Sequence, residues 1–227
     1  MGGKLIVFEG VEGSGKTTQL RRGSDWLQES GLRLCLGSLS EKTPVVVTRE
    51  PGGTSLGLGL RQLLLEEHSS PLQDRTELLL YAADRAQHVE EVLKPQRALG
   101  AIILCDRYTD STVAYQGYGR GLDLKLIQQL NQIATDGLES DLTLWLDIDA
   151  ETGLKRARER GTADRIEQAD LGFHQRVQQG FAELAASYPQ RIVRIDASKS
   201  EEEVHLAIQD VLRQRLGVWF QTLSQPS

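Results

Sequence analysis

Five short apolar runs punctuate the chain: Leu5–Phe8, Val45–Thr48, Ala101–Cys105, Leu142–Leu146 and Ile192–Ile195. Each is rich in Val, Ile or Leu, the pattern of strands buried on both faces of a parallel sheet. Between them apolar residues recur at helical spacing. They predict helices over Lys16–Ser30, Ser55–Glu67, Arg75–Gln96, Asp123–Asp136, Ala150–Arg160, Gly172–Ser187 and Glu201–Trp219. Asp123 suits an N-cap, and Pro189 closes the helix before the last strand. Strands alternating with helices imply an α/β fold with a central five-stranded parallel sheet and right-handed crossovers. In such sheets ligands bind beyond the carboxyl ends of the strands, so function is sought in the residues just after each strand.

The first strand runs into Gly10-Val11-Glu12-Gly13-Ser14-Gly15-Lys16-Thr17, the complete G-x-x-x-x-G-K-[ST] pattern of a phosphate-binding P-loop. Its glycines let the backbone turn tightly enough to aim N–H groups at phosphate oxygens. The helix beginning at Lys16 adds unpaired N–H donors and the positive end of its dipole. Lys16 is expected to reach the β- and γ-phosphates of ATP, and Thr17 to ligate Mg²⁺ through its hydroxyl. The fold class thereby narrows to a three-layer P-loop NTPase fold. A glycine-rich turn with a chance lysine is the plain alternative, but the pattern is complete and sits between a strand and a helix.

Other groups near the strand ends carry candidate chemistry. Asp106-Arg107 ends the third strand: Asp106 stands where a Walker-B carboxylate holds Mg²⁺ through water, and Arg107 can grip an acceptor phosphate, although the two can also form a simple strand-end salt bridge. Arg49, before the stiff turn Glu50-Pro51-Gly52-Gly53, faces the same edge unless the segment is only a strand-to-helix turn. Tyr81 and Arg85 are four apart and share a helix face; they can stack on and hydrogen-bond a base, or be a surface contact pair. Ser111–Gly117, including Thr112, Tyr115 and Gln116, offers hydroxyls, an amide and a ring suited to a nucleoside, or to ordinary capping. Finally, Lys155–Arg160 is strongly basic; Arg156 and Arg160 share a face, Arg165 lies beyond, and Gly161 ends the helix. This describes a short arginine-rich lid at about 153–167, or a solvated basic helix face.

Composition sharpens this picture in a few places. A chain of 227 residues is long enough for one domain with a full core, expected over 1–220, with a frayed tail over 221–227. No apolar run approaches the roughly 18–20 residues of a membrane span, and the chain enters its first strand too early for a signal peptide. Cys35 and Cys105 form no C-x-x-C pair and read as reduced thiols of a cytoplasmic protein; the four histidines show no metal-ligand spacing. The net charge of −6 argues against a nucleic-acid surface, so a polyphosphate must be met by local cations.

Together these residues resemble the thymidylate kinase family, from Ile6 to about Ile208. The segments that carry the likeness are Phe8–Thr18, Thr48–Thr54, Asp106–Tyr108, Ala114–Gly117, Gly153–Gly161 and Asp164–Glu167, in that order. The resemblance implies ATP and dTMP as substrates, ADP and dTDP as products, Mg²⁺ as cofactor, and a cytoplasmic homodimer without nucleic-acid or membrane partners. By the same likeness Gly10–Thr17 is the ATP-phosphate site. Glu12 lies near the acceptor sugar, and Arg49 and Arg107 meet the acceptor phosphate. Tyr81 stacks on thymine and Arg85 reads its carbonyl. Thr112 and Gln116 make polar base- or sugar-side contacts, and Tyr115 sits near the deoxyribose. The P-loop holds no arginine while the later segment holds several, which is similar to the bacterial arrangement with lid arginines, here Arg156 and Arg160, as catalytic groups beside Lys16 and Arg107. The segment Leu34–Thr43 is longer than the family usually has. Two rivals stand beside this reading. One is another nucleoside or nucleoside-monophosphate kinase, which arginines aimed at an acceptor phosphate restrict to monophosphates. The other is a nucleotide-dependent switch; its guanine motif Asn-Lys-x-Asp is absent, since the one asparagine, Asn131, precedes Gln132.

Overall fold

The structure, a computed structural model, describes residues 2–31, 43–66, 70–159, 161 and 164–221. Five strands, β1 (Lys4–Glu9), β2 (Val45–Arg49), β3 (Ile102–Asp106), β4 (Leu142–Asp147) and β5 (Ile192–Asp196), form one sheet in the order β2-β3-β1-β4-β5. Every pairing is parallel. The expected apolar runs are the strands, but each strand extends one residue further, into Glu9, Arg49, Asp106, Asp147 or Asp196. Hydrophobicity stops one residue before the backbone ladder does, and that last residue brings a charged side chain to the rim of the sheet, even where, as at Glu9, it is wholly buried. β3 also begins one residue later than expected, at Ile102.

Alternation along the central strands divides the core. Ile6, Phe8, Ile102, Leu104, Leu142 and Leu144 pack on one face, and Leu5, Val7, Ile103 and Cys105 on the other. Both faces are fully buried, as a parallel sheet between two helical layers requires.

The helices are α1 (Lys16–Trp26), α2 (Ser55–Leu65), α3 (Asp74–His88), α4 (Thr109–Thr112), α5 (Leu124–Thr135), α6 (Ala150–Glu159), α7 (Leu171–Ser187) and α8 (Glu201–Gln221). Asp123 caps α5 as expected, accepting from the Lys125 and Leu126 amides. Asp170 does the same for α7 through the Phe173 amide. Three helices widen into π-helical turns: α1 over Leu27–Gly31, α3 over Val89–Leu93, and α4 over Val113–Gly119. After α3 the chain makes one more α-turn, Lys94–Ala98, so the long helix expected to Gln96 crosses Pro95 only with a widened stretch ahead of it. That is a physical response to a residue with no N–H to return to the preceding turn. α4 itself answers to no expected helix: its β-branched residues and the glycines beyond it hide it from helical periodicity. Arg160, most of Leu34–Thr43 and residues 222–227 lie outside the described residues.

Candidate active site

β1 lies at the centre of the sheet, between β3 and β4, and its carboxyl end opens into the P-loop at the switch point of the strand order. Gly10, Gly13 and Gly15 all take positive φ. At Gly13 the demand is also steric: a Cβ there would stand 1.9 Å from the Gly153 carbonyl oxygen of α6. The P-loop and α6 are therefore in backbone contact. Lys16 curls over the loop, its Nζ donating to the carbonyls of Gly10 (3.0 Å) and Val11 (2.8 Å) and to Ser14 Oγ (3.3 Å). Burial, and then the charge of Arg107, lower its pKa to about 8 against the pull of Glu12 and Asp106. Thr17 Oγ1 donates to Asp106 Oδ2 at 2.8 Å. An alcohol and a carboxylate side by side at the mouth of a phosphate loop are the hard oxygen donors that Mg²⁺ takes alongside phosphates and water.

The adjoining cavity is lined by Glu12, Tyr81, Arg85, Arg107, Thr112, Tyr115 and Gln116, all of them expected site residues that separate segments bring together. Arg49 lies next door, in the cleft that also holds Lys16, Thr17 and Asp106. The two spaces meet at Glu12 and Arg107, which line both.

Arg107 is held by more than an ion pair. Its backbone is left-handed, with φ 69°, an unusual choice for a side-chain-bearing residue. Its guanidinium pairs with Glu12 Oε1. It also donates to the Gly10 carbonyl and to Ser111 Oγ, both at 3.1 Å, and lies 4.8 Å above the centre of the Tyr115 ring. The Tyr115 hydroxyl in turn donates to Glu12 at 2.9 Å. Burial would raise the Glu12 pKa, but Arg107 and Lys16 outweigh it and hold the carboxyl at about 2. The alternative reading, a strand-end pair of Asp106 with Arg107, gives way to two other pairs, Asp106 with Thr17 and Arg107 with Glu12.

Below this triangle lies Glu9, to which sequence reasoning gave no role. Wholly buried, it accepts from the amides of Tyr108 (2.8 Å) and Ser111 (3.1 Å) and from Ser111 Oγ (2.6 Å), fastening the turn that carries Arg107 to the end of β1. Burial and the nearby Asp110 push its pKa up to about 7.

Arg85 is also deeper than a surface pair allows. It donates to Glu50 (2.8 Å), Thr112 (2.9 Å), Asn131 (2.8 Å) and the Tyr108 carbonyl (3.0 Å), which occupy four of the five N–H groups of a guanidinium. Glu50 takes a hydrogen bond with His88 as well (2.8 Å), so the turn after β2 is tied into α3 from beneath.

Arg61 is a further cation that the sequence did not single out. It lines both spaces and donates to the Pro51 carbonyl at 2.9 Å. Burial and then the neighbouring Arg49 depress its pKa. The signal was present: Arg61 is the sole charged residue of α2.

The lid residues divide. Arg156 turns away from both spaces and donates to the Ala197 carbonyl, just after β5 (3.1 Å). Asp164 and Ile166, beyond Gly161, instead line the cavity of Tyr81 and Arg85. Arg165 anchors them through the Leu64 carbonyl (2.9 Å) and Glu77 (2.5 Å).

Comparison with known proteins points to one family. A family model described as thymidylate kinase matches residues 8–208. A thymidylate kinase from Nostoc punctiforme is 64% identical over 218 residues, covering 95% of this chain and 98% of that protein. One from a Cyanothece species is 59% identical over 234 residues, covering 99% of each. The crystal structure of thymidylate kinase from Ehrlichia chaffeensis superposes with a TM-score of 0.72 at 36% identity, over 93% of this chain and 100% of that one.

Proposed function

The chain belongs to the thymidylate kinase family, and from that premise we propose how its two adjoining spaces divide the reaction. The enzyme phosphorylates dTMP to dTDP. In our reading the P-loop cleft holds ATP, and the cavity between Tyr81, Arg85 and Tyr115 holds dTMP. The observation that carries this division is the Glu12–Arg107–Tyr115 triangle on the wall that both spaces share.

The P-loop amides and Lys16 receive the β- and γ-phosphates. Arg107, with Arg49 and Arg61 beside it, receives the acceptor phosphate. An oxygen of that phosphate attacks the γ-phosphorus in line while the bond to the ADP oxygen breaks. The nucleophile is already anionic, so positioning and charge do most of the work and no strong base is needed. Tyr81 offers its ring to the thymine, and Arg85 its remaining N–H, with Thr112 and Gln116 beside it. Tyr115 packs by the deoxyribose and Glu12 faces its 2′ position, where a hydroxyl would meet the carboxylate. Thr17 and Asp106 are the residues to hold Mg²⁺, which supplies positive charge to the phosphates when bound. A donor-side role for Arg156 and Arg160 rests on the family likeness; Arg156 itself is tied to the Ala197 carbonyl.

We assign residues 1–220 to one kinase domain acting in the cytoplasm as a homodimer. Leu56, Leu63 and Leu79 on α2 and α3 are each about half exposed, an apolar face suited to a second copy. No helix among the described residues is long and apolar enough to cross a membrane.

The test is an ADP-release assay with ATP and Mg²⁺ over dTMP, dUMP, dCMP, dGMP, AMP, UMP and thymidine, with strong preference for dTMP expected. Preference for thymidine or another monophosphate would overturn the roles of Tyr81, Arg85 and Glu12. Silence throughout, with ATP still bound, would favour a nucleotide-dependent switch.

A further inference from the structure

Glu77 stands one helical turn before Tyr81 and two before Arg85, on the same face of α3. Its side chain is 1% exposed. Oε1 accepts from Gln116 Nε2 at 2.8 Å and from Arg120 Nε at 3.3 Å; Oε2 accepts from Arg120 at 3.2 Å and from Arg165 at 2.5 Å. Burial pushes its pKa up, but the hydrogen bond from Gln116 and the charge of Arg120 outweigh it, so the group stays an anion.

An ionised carboxylate only accepts hydrogen bonds. It must therefore be met by the Nε2 end of the Gln116 amide and never by Oε1. That leaves Oε1 of Gln116, a buried residue lining the cavity, without a hydrogen bond from any described residue and free to meet a base there. Thymine carries one ring donor, N3–H, between two carbonyls. Cytosine has an acceptor at N3 and an amino group at C4. A fixed amide oxygen suits the first base at N3; a flipped amide would suit the second.

We infer that Glu77 is a positioning residue for base selection: by taking Nε2 of Gln116 it holds Oε1 toward the nucleotide, so the site pairs with the N3–H of a thymine-type ring and opposes the N3 acceptor of cytosine. This rests on reading the cavity as the base site. The 5-methyl group plays no part, so uracil and thymine are treated alike by this device.

The experiment measures kcat/KM for dTMP, dCMP and dUMP in wild type, Glu77→Gln and Glu77→Asp. An amide at position 77 can accept from Gln116 or donate to it, freeing the flip. In Glu77→Gln the dTMP:dCMP ratio falls about tenfold, through KM for the acceptor, because the amide then offers cytosine a matching donor. The dTMP:dUMP ratio and KM for ATP stay at wild-type values. Glu77→Asp, still acceptor-only, recovers discrimination. An unchanged dTMP:dCMP ratio in folded Glu77→Gln overturns the inference. So does an equal fall of both ratios, which is what simple loosening of the Arg165 anchor produces. If Glu77→Gln does not fold, Gln116→Leu with Glu77 intact reads the same device, and an unchanged dTMP:dCMP ratio there is equally fatal. A wild-type enzyme indifferent to the base defeats the base-site reading itself, and this inference with it.

Discussion

Arg107 shows what single residues here reveal and conceal. Its place after an apolar strand was legible, and so was its type. Its left-handed backbone was not, because the reason for it is tertiary: Glu9, far back in the chain, holds the amides of Tyr108 and Ser111. A left-handed side-chain-bearing residue costs roughly 1–2 kcal/mol, which the surrounding hydrogen bonds offset. Arg107→Ala is expected to lower turnover of dTMP on the order of 10²-fold or more while the protein stays folded; unchanged dTMP kinetics would remove Arg107 from the mechanism. Lys16 is expected to supply a pH dependence. Its pKa of about 8 lies below that of an ordinary lysine, so above that pH the amine is neutral and no longer balances phosphate charge. kcat/KM for ATP reports the free enzyme, and it should be level below pH 8 and decline above it. A level profile to pH 10 would show that Lys16 keeps its proton. Arg61 and Glu77 escaped the sequence for opposite reasons: Arg61 lies outside the motif segments, while Glu77 is a carboxylate on a helix that looks solvent-facing until Arg120 and Arg165 arrive from elsewhere.

Elements were easier to read than their ends. The five strands are where apolar runs place them, but the charged residue closing each strand lies past the last apolar side chain, and those closing residues include Asp106 and Arg49. α4 and its π-helical continuation carry Thr112, Tyr115 and Gln116, and no periodic signal marks them. The contact of the P-loop with α6 is another element-level fact that spacing alone cannot give. With φ 70° and the Gly153 oxygen 1.9 Å from an added Cβ, Gly13→Ala must both strain the turn and push α6 away. The expected loss is about 3 kcal/mol. Thermal unfolding should then start several degrees lower, at roughly 2–4 °C per kcal/mol for a chain of this size. ATP affinity should fall with it, since α6 and the phosphate loop are in backbone contact. A wild-type melting temperature would show that the loop relaxes independently of α6.

For the molecule as a whole, the order β2-β3-β1-β4-β5 gathers the carboxyl ends of β1, β2 and β3 at one rim, and this concentrates cations there although the chain carries a net charge of −6. The alternation of strands and helices made that architecture legible; the order of strands came from no local pattern. The α2–α3 apolar face is a property of the assembled surface. Light scattering should give about twice the 25.2 kDa chain mass, and Leu63→Glu with Leu79→Glu should yield monomers. A monomeric wild type would leave that face without its assigned partner. One further consequence concerns the sequence of events during turnover. The wall between the two spaces is built by the protein's own bonds, Glu12 to Arg107 and Tyr115, so neither nucleotide has to complete a seat for the other. Substrates should add in either order: initial-rate lines for ATP and dTMP intersect, ADP competes with ATP, and dTDP competes with dTMP. An obligatory order of addition would mean that the first nucleotide to arrive rebuilds this wall.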